Sequence, residues 1–564
     1  MYRLGKMYVL KVYRPCDPED DTAAYTVMLG SILSLLLLPP LFAVSTPLTL
    51  TPSLTPISLT SPNSFACLAL DWWPTSKCDY GTCAWGNSSF INLDLNNGKV
   101  KSALVALGGA LVAQPFYLRL GGSLVDFVRY EVPGYEGECV EFSAPTTDTR
   151  VGYELGTGCL KQERWDDLNN FCSSIAGCEL IFGLNALVGR QNSTCPAGTD
   201  CQFDSENNPC CTSWSGSWDP TNARQLIEYS ASQNHSLYGY ELGNELAGVT
   251  GIEAHLTPAE YAETFCTLHQ IIDDVYGGNE HRPKLITPDN NFEHDWIVEF
   301  VKIATERGCT PDVVTWHQYL LGAGVDDAAP VKAMDPMVLD QQIAKGGSVL
   351  EAVTTGAAGA AKVPEVWVGE AGGAYNSGRR GTTDCYRSSF WFLDGLGVLS
   401  EQGHSTFCRQ TLIGGNYGLL STTTYDPNPD YWGLLLWQRL MGREVLAVDV
   451  GVGNDGHFLR SYAHCAVGGG GKVAMLLMNL NSDQAFEVTV EGEWVGREDY
   501  VMTATDMESQ QVMLNGKVLE MAEAGDVELE GVKADGDFAA ISVGPEEYGY
   551  FVFQLPEGEE CGMN

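Results

Sequence analysis

Two short stretches limit what this chain can fold into: Tyr238-Gly239-Tyr240-Glu241-Leu242-Gly243-Asn244-Glu245 and Val366-Trp367-Val368-Gly369-Glu370. Each is an apolar or aromatic run that stops at a glycine and delivers a glutamate. A parallel strand buried on both faces reads as a nearly continuous apolar run, and in a (β/α)8 barrel the reacting groups project from the C-terminal ends of such strands. A single Gly-Glu is accounted for by a strand cap or an ion pair with arginine. Asn-Glu at one strand end and Gly-Glu at another form the pattern of a paired-carboxylate site.

From Phe65 onward, short apolar runs alternate with longer helical patterns, the rhythm of βα units. Strands are expected at Phe65–Leu70, Phe116–Leu120, Glu179–Leu184, Leu237–Leu242, Lys284–Thr287, Val313–His317, Glu365–Gly369 and in the region Thr411–Thr423, so that Glu245 ends the fourth and Glu370 the seventh. A helix is expected over Pro258–Val275, with Thr257 as N-cap and Pro258 at the first helical position. After Gly442 the long helical patterns stop, and runs such as Phe458–Ala466, Lys472–Leu480, Ala485–Val490 and Tyr548–Leu555 read as antiparallel strands, with Gly468–Gly471 as a hairpin turn. The expected fold class is α/β: a (β/α)8 TIM barrel over residues 65–440 with an appended C-terminal β-sandwich over residues 441–564, which a segment near the mature N-terminus is available to complete. Residues 46–64, rich in Thr, Pro and Ser, read as a linker. Residues 1–45 are an N-terminal extension in which Val27–Ser45 has the shape of a signal-peptide apolar region, with an uncleaved anchor or translation from Met28 as alternatives because acidic residues such as Asp17 and Glu19 precede it.

Asp and Glu number 72 against 32 Lys and Arg, a formal net charge of −40. A field of that sign repels nucleic acid, anionic membrane and densely sulfated polymers. Nucleic acid is not an expected partner, and membrane is one only if the leader stays as an anchor. The 18 cysteines lack the repeated Cys-x-x-Cys pairs of a structural zinc site and are expected to form disulfides. Since only Cys16 precedes the leader, 17 remain after its removal, an odd number. Acceptor sequences for N-glycosylation at Asn87, Asn192 and Asn234 agree with a secreted protein of the cell wall or matrix, with a vacuolar, lysosomal or membrane-anchored location as alternatives.

Two carboxyl groups suffice to hydrolyse a glycosidic bond when one is held protonated and the other ionised. A gap of about 5–5.5 Å lets the ionised one attack directly, with retention of configuration, and a gap of about 6.5–9.5 Å admits a water and inverts. With nine histidines and no His-x-x-x-His spacing, metal catalysis is not expected, nor is any cofactor.

Asn-Glu after strand four with a glutamate after strand seven resembles the clan of retaining (β/α)8 glycosidases. The resemblance narrows with Leu118-Arg119-Leu120-Gly121-Gly122-Ser123, Thr315-Trp316-His317-Gln318-Tyr319, Val366–Tyr375, Gly415-Asn416-Tyr417 and Pro429-Asp430-Tyr431-Trp432, which are similar to heparanase and its plant homologues, glycoside hydrolase family 79. Leu70-Asp71-Trp72-Trp73-Pro74 with Lys77–Cys83 is close to the plant and secreted heparanase-like branch. This resemblance implies Glu370 as nucleophile, Glu245 as acid/base, Asn244 as partner of the sugar 2-hydroxyl, and Tyr319 as the group orienting the nucleophile. It also implies Tyr375 and Tyr417 around the carboxylate of a glucuronic acid, and Asp71 on a sugar hydroxyl. Arg119 is expected to brace the nucleophile end electrostatically, with a structural ion pair as the alternative. The partner that the resemblance implies is an oligosaccharide or a proteoglycan glycan.

Where heparanase carries Gly-Gly after the tyrosine, this chain has Asn376-Ser377, and Pro288-Asp289-Asn290-Asn291-Phe292 lacks a glutamine expected to touch substrate. The expected activity is that of a retaining β-glucuronidase on weakly sulfated glycans such as arabinogalactan side chains. The alternatives are a heparan-type endo-β-glucuronidase, another enzyme of the clan such as an arabinofuranosidase or glucosidase, and a catalytically silent glycan-binding protein.

Overall fold

The computed structural model describes residues 48–61, 65–108, 115–142, 158–194, 212–247, 252, 254–278, 281–451, 457–522 and 527–562. The leader and Cys195, Cys201, Cys210 and Cys211 lie outside them. Eight parallel strands close into a barrel in chain order: Ala66–Asp71, Phe116–Gly121, Cys178–Leu184, Leu237–Leu242, Lys284–Asn291, Val313–Gln318, Glu365–Ala371 and Thr406–Arg409, called here strands one to eight. Side chains alternate across a strand, so one residue in two points inward. Cys67, Tyr117, Ile181, Ile286, Val313, Trp367 and Cys408 fill the barrel as one apolar cluster, with Tyr238 packed against it. A disulfide between Cys67 and Cys408, which face each other in the ladder, joins strands one and eight inside this layer. Further along the strands the interior changes from apolar to charged, and that is where the candidate site begins.

The eighth strand is not where the sequence places it. Thr406–Arg409 completes the barrel, and the region Thr411–Thr423 that follows is loop with isolated bridges. The four-residue strand is half polar, because Thr406 is fully buried and Arg409 forms a buried ion pair with Asp430, so an apolar-run criterion passes over it. The helix expected from Pro258 spans Pro258–Tyr276 and opens on a capping box: Glu260 N–H donates to Thr257 Oγ1 at 3.3 Å and Thr257 N–H to Glu260 Oε2 at 3.0 Å.

The C-terminal strands form one hydrogen-bonded sheet of 11 strands that is mostly antiparallel and encloses its own core. Leu446, Leu459, Val473, Met475, Val488, Ile541, Phe551 and Phe553 meet in that core. Within the segment expected as a linker, Leu48–Leu59 is a strand of this sheet. It runs antiparallel to Met441–Val450 and, over Leu48–Leu50 only, parallel to Phe486–Val490. Leu48, Leu50 and Pro52 are buried in alternation, while Pro52 and Pro56 sit at irregularities beyond the second partner. Proline is tolerated where one side of a strand needs no donor, and this is why a Pro-rich segment pairs here.

The sheet's other face packs on the barrel helices Ser388–Gln402 and Pro429–Leu440. Tyr462 Oη donates to Asp394 at 2.6 Å and Tyr550 Oη to the Gly433 carbonyl at 2.9 Å. Disulfides also join Cys78–Cys83, Cys139–Cys159, Cys172–Cys178, Cys266–Cys309 and Cys465–Cys561, and Cys385 is buried and unpaired. No helix among the described residues is long and apolar enough to cross a membrane.

Candidate active site

Strand two delivers Arg119, fully buried, into the layer above the apolar cluster. Gly121 leaves it room: a Cβ there would lie 2.6 Å from the Arg119 Cζ. The guanidinium donates to Glu241 Oε2 at 2.9 Å, to Glu370 Oε2 at 2.9 Å, to Asn244 Oδ1 at 3.1 Å, and to Asp289 Oδ2. One fork thus gathers residues from strands four, five and seven.

Glu370 reaches the interior through a β-bulge. Trp316 pairs with Val368 but His317 with Glu370, so Gly369 is the extra residue and the inward alternation passes from Trp367 to Glu370. Only glycine fits, because a Cβ at 369 would lie 2.7 Å from Asp289 Oδ1 and 2.9 Å from Thr315 Cβ. Glu370 Oε1 accepts from Tyr319 Oη at 2.5 Å, and Oε2 accepts from Arg119. Both oxygens are held by donors, one of them charged. Burial, then the charge of Glu370, raise the Tyr319 phenol well above its ordinary value, so it remains a donor.

Glu245 stands past the end of strand four in a left-handed conformation, φ 55°. Such a backbone costs a non-glycine residue about 1 kcal/mol or more and persists where the surroundings impose it. Here the Glu245 N–H donates to the Asp289 carbonyl at 2.8 Å, and the adjacent Asn244 N–H donates to Asp126 Oδ2 at 2.9 Å. Asp126 also accepts from Ala186 N–H at 2.8 Å, tying the loops after strands three and four together. Glu245 Oε1 accepts from His317 Nδ1 and from Asn291 Nδ2, each at 2.8 Å, and His317 Nε2 donates to Asp289 Oδ1 at 2.7 Å.

Burial raises Glu245 above the ordinary carboxylate range; the His317 hydrogen bond and charge work against this, and the Glu370 charge adds to it. Burial also disfavours a charged His317, but Asp289 and Glu370 outweigh it and hold the imidazolium well above its ordinary value. Asp71, raised to about 8 by burial and by the Glu370 charge, accepts from Trp73 at 3.0 Å and from Gln410 Nε2 at 2.7 Å, while its Oδ1 is buried without a partner. Glu241 is likewise raised to about 8, mainly by burial and against the pull of Arg119.

The distance between the two glutamates determines which chemistry is open to them. One carboxylate oxygen of Glu245 and one of Glu370 lie within 4.8 Å of each other. That falls on the close side of the two spacings, the side of direct attack.

The chain matches the model of glycosyl hydrolase family 79, N-terminal domain, over residues 52–397. It is a member of glycosyl hydrolase family 79. Heparanase-like protein 3 of Arabidopsis thaliana is 36% identical over 82% of this chain and 85% of its own length. Baicalin-beta-D-glucuronidase of Scutellaria baicalensis is 35% identical over 89% of this chain and 90% of its own length. Among solved structures, a 4-O-alpha-L-rhamnosyl-beta-D-glucuronidase of Fusarium oxysporum superposes with a TM-score of 0.58 at 12% identity, covering 90% of this chain and all of that one, which bears on the fold alone.

Of the residues singled out in this family 79 sequence, the structure gathers Glu370, Asn244, Arg119 and Tyr319 by direct hydrogen bonds, joins Glu245 to them through Asp289, and ties Asp71 to them through charge. Tyr417 is buried next to Gln410 and edge-on to Trp85, 6.1 Å between centroids. Tyr375 stands at the rim, 44% exposed, its ring 6.3 Å from that of Tyr319. Asn376 and Ser377 take the left-handed backbone, φ 57° and 67°, that Gly-Gly adopts freely; Ser377 Oγ donates to Asp79 and Asn376 Nδ2 to Tyr80 Oη at 3.0 Å, fastening this loop to the one after strand one. Trp72 and Trp73 are buried, Trp72 lying 4.0 Å from Phe90 between ring centroids, so they pack the barrel mouth.

From the sequence, His317 stands only within a strand and a family motif, and no role attaches to Asp289, Asn291, Glu241 or Gln410. One signal was available for His317: it precedes Tyr319 by two at the end of strand six, the spacing of residues that face the same side. Glu245, His317 and Glu370 each bring a ligand atom within 4.8 Å of the others. Both ring nitrogens of His317 are already engaged by Glu245 and Asp289, so the imidazole is a bridge between carboxylates as the site stands.

Proposed function

We propose that the protein is a secreted, retaining β-glucuronidase acting by double displacement on glucuronic acid linkages of weakly sulfated extracellular glycans. The observation that carries the mechanism is the spacing within 4.8 Å between Glu245 and Glu370. In the first step Glu370 attacks the anomeric carbon as Glu245 gives its proton to the leaving oxygen. In the second, Glu245 takes a proton from water, which displaces Glu370 from the glycosyl-enzyme. Asn244, held by Arg119 and Asp126, meets the 2-hydroxyl, and Tyr319 fixes the attacking carboxylate.

Several features support the glucuronide class. The 35% identical relative is named for a glucuronide, Tyr375 stands against Tyr319 and Tyr417 beside Gln410, and the backbone at Asn376-Ser377 keeps the left-handed form. The net charge of −40 favours substrates of low sulfation. The leader, the disulfides and the exposed acceptors Asn87 and Asn234 support secretion. The test is hydrolysis of chromogenic β-glucuronide, β-glucoside and α-arabinofuranoside by the wild type and by Glu370→Gln. Turnover of the glucuronide alone, lost in the variant, is expected; binding without turnover by the wild type would overturn the enzymatic reading.

A further inference from the structure

Glu245 has two oxygens with different surroundings. Oε1 accepts two hydrogen bonds of 2.8 Å, from His317 Nδ1 on strand six and from Asn291 Nδ2 at the end of strand five. Oε2 accepts none among the described residues. A proton on Glu245 therefore sits on Oε2, because an oxygen already receiving two donors has no lone pair left for it. His317 is fixed for reasons of its own, through Asp289. Asn291 brings no charge, and what it adds at Glu245 is a second donor.

We propose that Asn291 is a positioning residue for the acid/base: together with His317 it saturates Oε1, assigns the catalytic proton to Oε2, and favours its release when Glu245 acts as acid. This deepens the functional reading above and rests on Glu245 being the acid/base. The groups that face Glu245 by charge or hydrogen bond are His317 from strand six, Tyr319 past its end, Asn291 and Asp289 from strand five, and Glu370 from strand seven, with Arg119 beyond. Donors to the ionised form lower a carboxyl pKa, so losing Asn291 raises it.

The experiment is the pH dependence of kcat/KM on a chromogenic β-glucuronide for the wild type, Asn291→Ala, Asn291→Ser and Asn291→Asp. The alkaline limb reports loss of the acid's proton. Asn291→Ala is expected to move that limb up by about one pH unit, the size of one hydrogen bond to a charged group. Asn291→Asp, the same shape with a like charge, is expected to move it further. Asn291→Ser keeps the half-buried position polar in case the larger loss prevents folding. A merely structural Asn291 would lower activity at every pH and leave the limb in place, and a limb unmoved in the variants that fold overturns the proposal. Glu245→Ala separates this failure from failure of the underlying reading. If that variant keeps turnover of an activated aryl glucuronide and regains rate with azide, Glu245 is the acid/base whatever Asn291 does. If it retains wild-type turnover on poor leaving groups, the acid/base reading falls, and this proposal with it.

Discussion

Two buried arginines stand on strands two and eight, Arg119 facing into the barrel and Arg409 out toward the helices, and their surroundings differ. Arg409 meets a single carboxyl: its guanidinium donates to Asp430 Oδ2 at 2.6 Å, Ser388 donates to the same oxygen at 3.0 Å, and the rings of Trp391 and Phe392 cover it at 5.0 and 5.2 Å. Arg119 meets three carboxyls, Glu241, Asp289 and Glu370, with Asp71 and Glu245 close by and only His317 as a second cation. The first is a closed pair of opposite groups packed by aromatics. The second is a crowd of carboxyls short of positive charge, which answers the deficit by keeping protons on Asp71 and Glu241. Burial is the same in both, so what separates a structural ion pair from a reacting centre here is how many carboxyls share one guanidinium.

The comparison can be tested in order of effect. Glu370→Gln removes the proposed attacking group from the crowded site and is expected to lower kcat by about 10⁴-fold or more, measured on a β-glucuronide; a variant within tenfold of wild type would place the reaction elsewhere. Next, Arg409→Met and Arg119→Met should each cost about 3–5 kcal/mol in denaturant unfolding, because each leaves buried carboxyls unpaired. The repairs should differ. Adding Asp430→Leu to Arg409→Met removes the one orphan and should restore most of the stability with activity retained. Adding Glu241→Leu to Arg119→Met still strands Asp289 and Glu370, and should restore neither. Equal recovery at both sites would erase the distinction drawn here.

A smaller effect follows from the held protons. In the folded chain Asp71 and Glu241 are raised to about 8 and Asp126 to about 7, from ordinary values near 4. The folded state then binds more protons than the unfolded one through that interval, so stability is fully present at low pH and declines as pH rises from about 4 to about 8. The unfolding midpoint in urea should fall across that window, and Asp71→Asn should flatten the slope. A midpoint that rises with pH would contradict the excess of carboxyls.

Much of the barrel and its two glutamates could be read from the sequence because a parallel strand is apolar throughout and its end is marked by glycine. Glu245 and Glu370 stood out for that reason, and Arg119 because an arginine in such a run needs partners. Strand eight escaped because Thr406 and Arg409 are polar yet buried, and the strand Leu48–Leu59 because prolines argue against pairing unless the second neighbour is absent. Asp289 and Asn291 escaped for a different reason: their role depends on His317 and Glu245, which only barrel closure brings to them, and nothing in their own surroundings in the chain names those partners. The bulge at Gly369, which turns Glu370 inward, is likewise a matter of register between strands.

The strand Leu48–Leu59 has a consequence for how the molecule is made. Leu50 pairs with Val450, about 400 residues away, so on the ribosome the strand emerges long before its partner exists. It must wait through synthesis of the whole barrel as an unpaired edge, the kind of segment that invites association with other chains. Pro52 and Pro56 lack the amide hydrogens such association needs, and so the irregularities they impose on the finished sheet double as protection during its assembly.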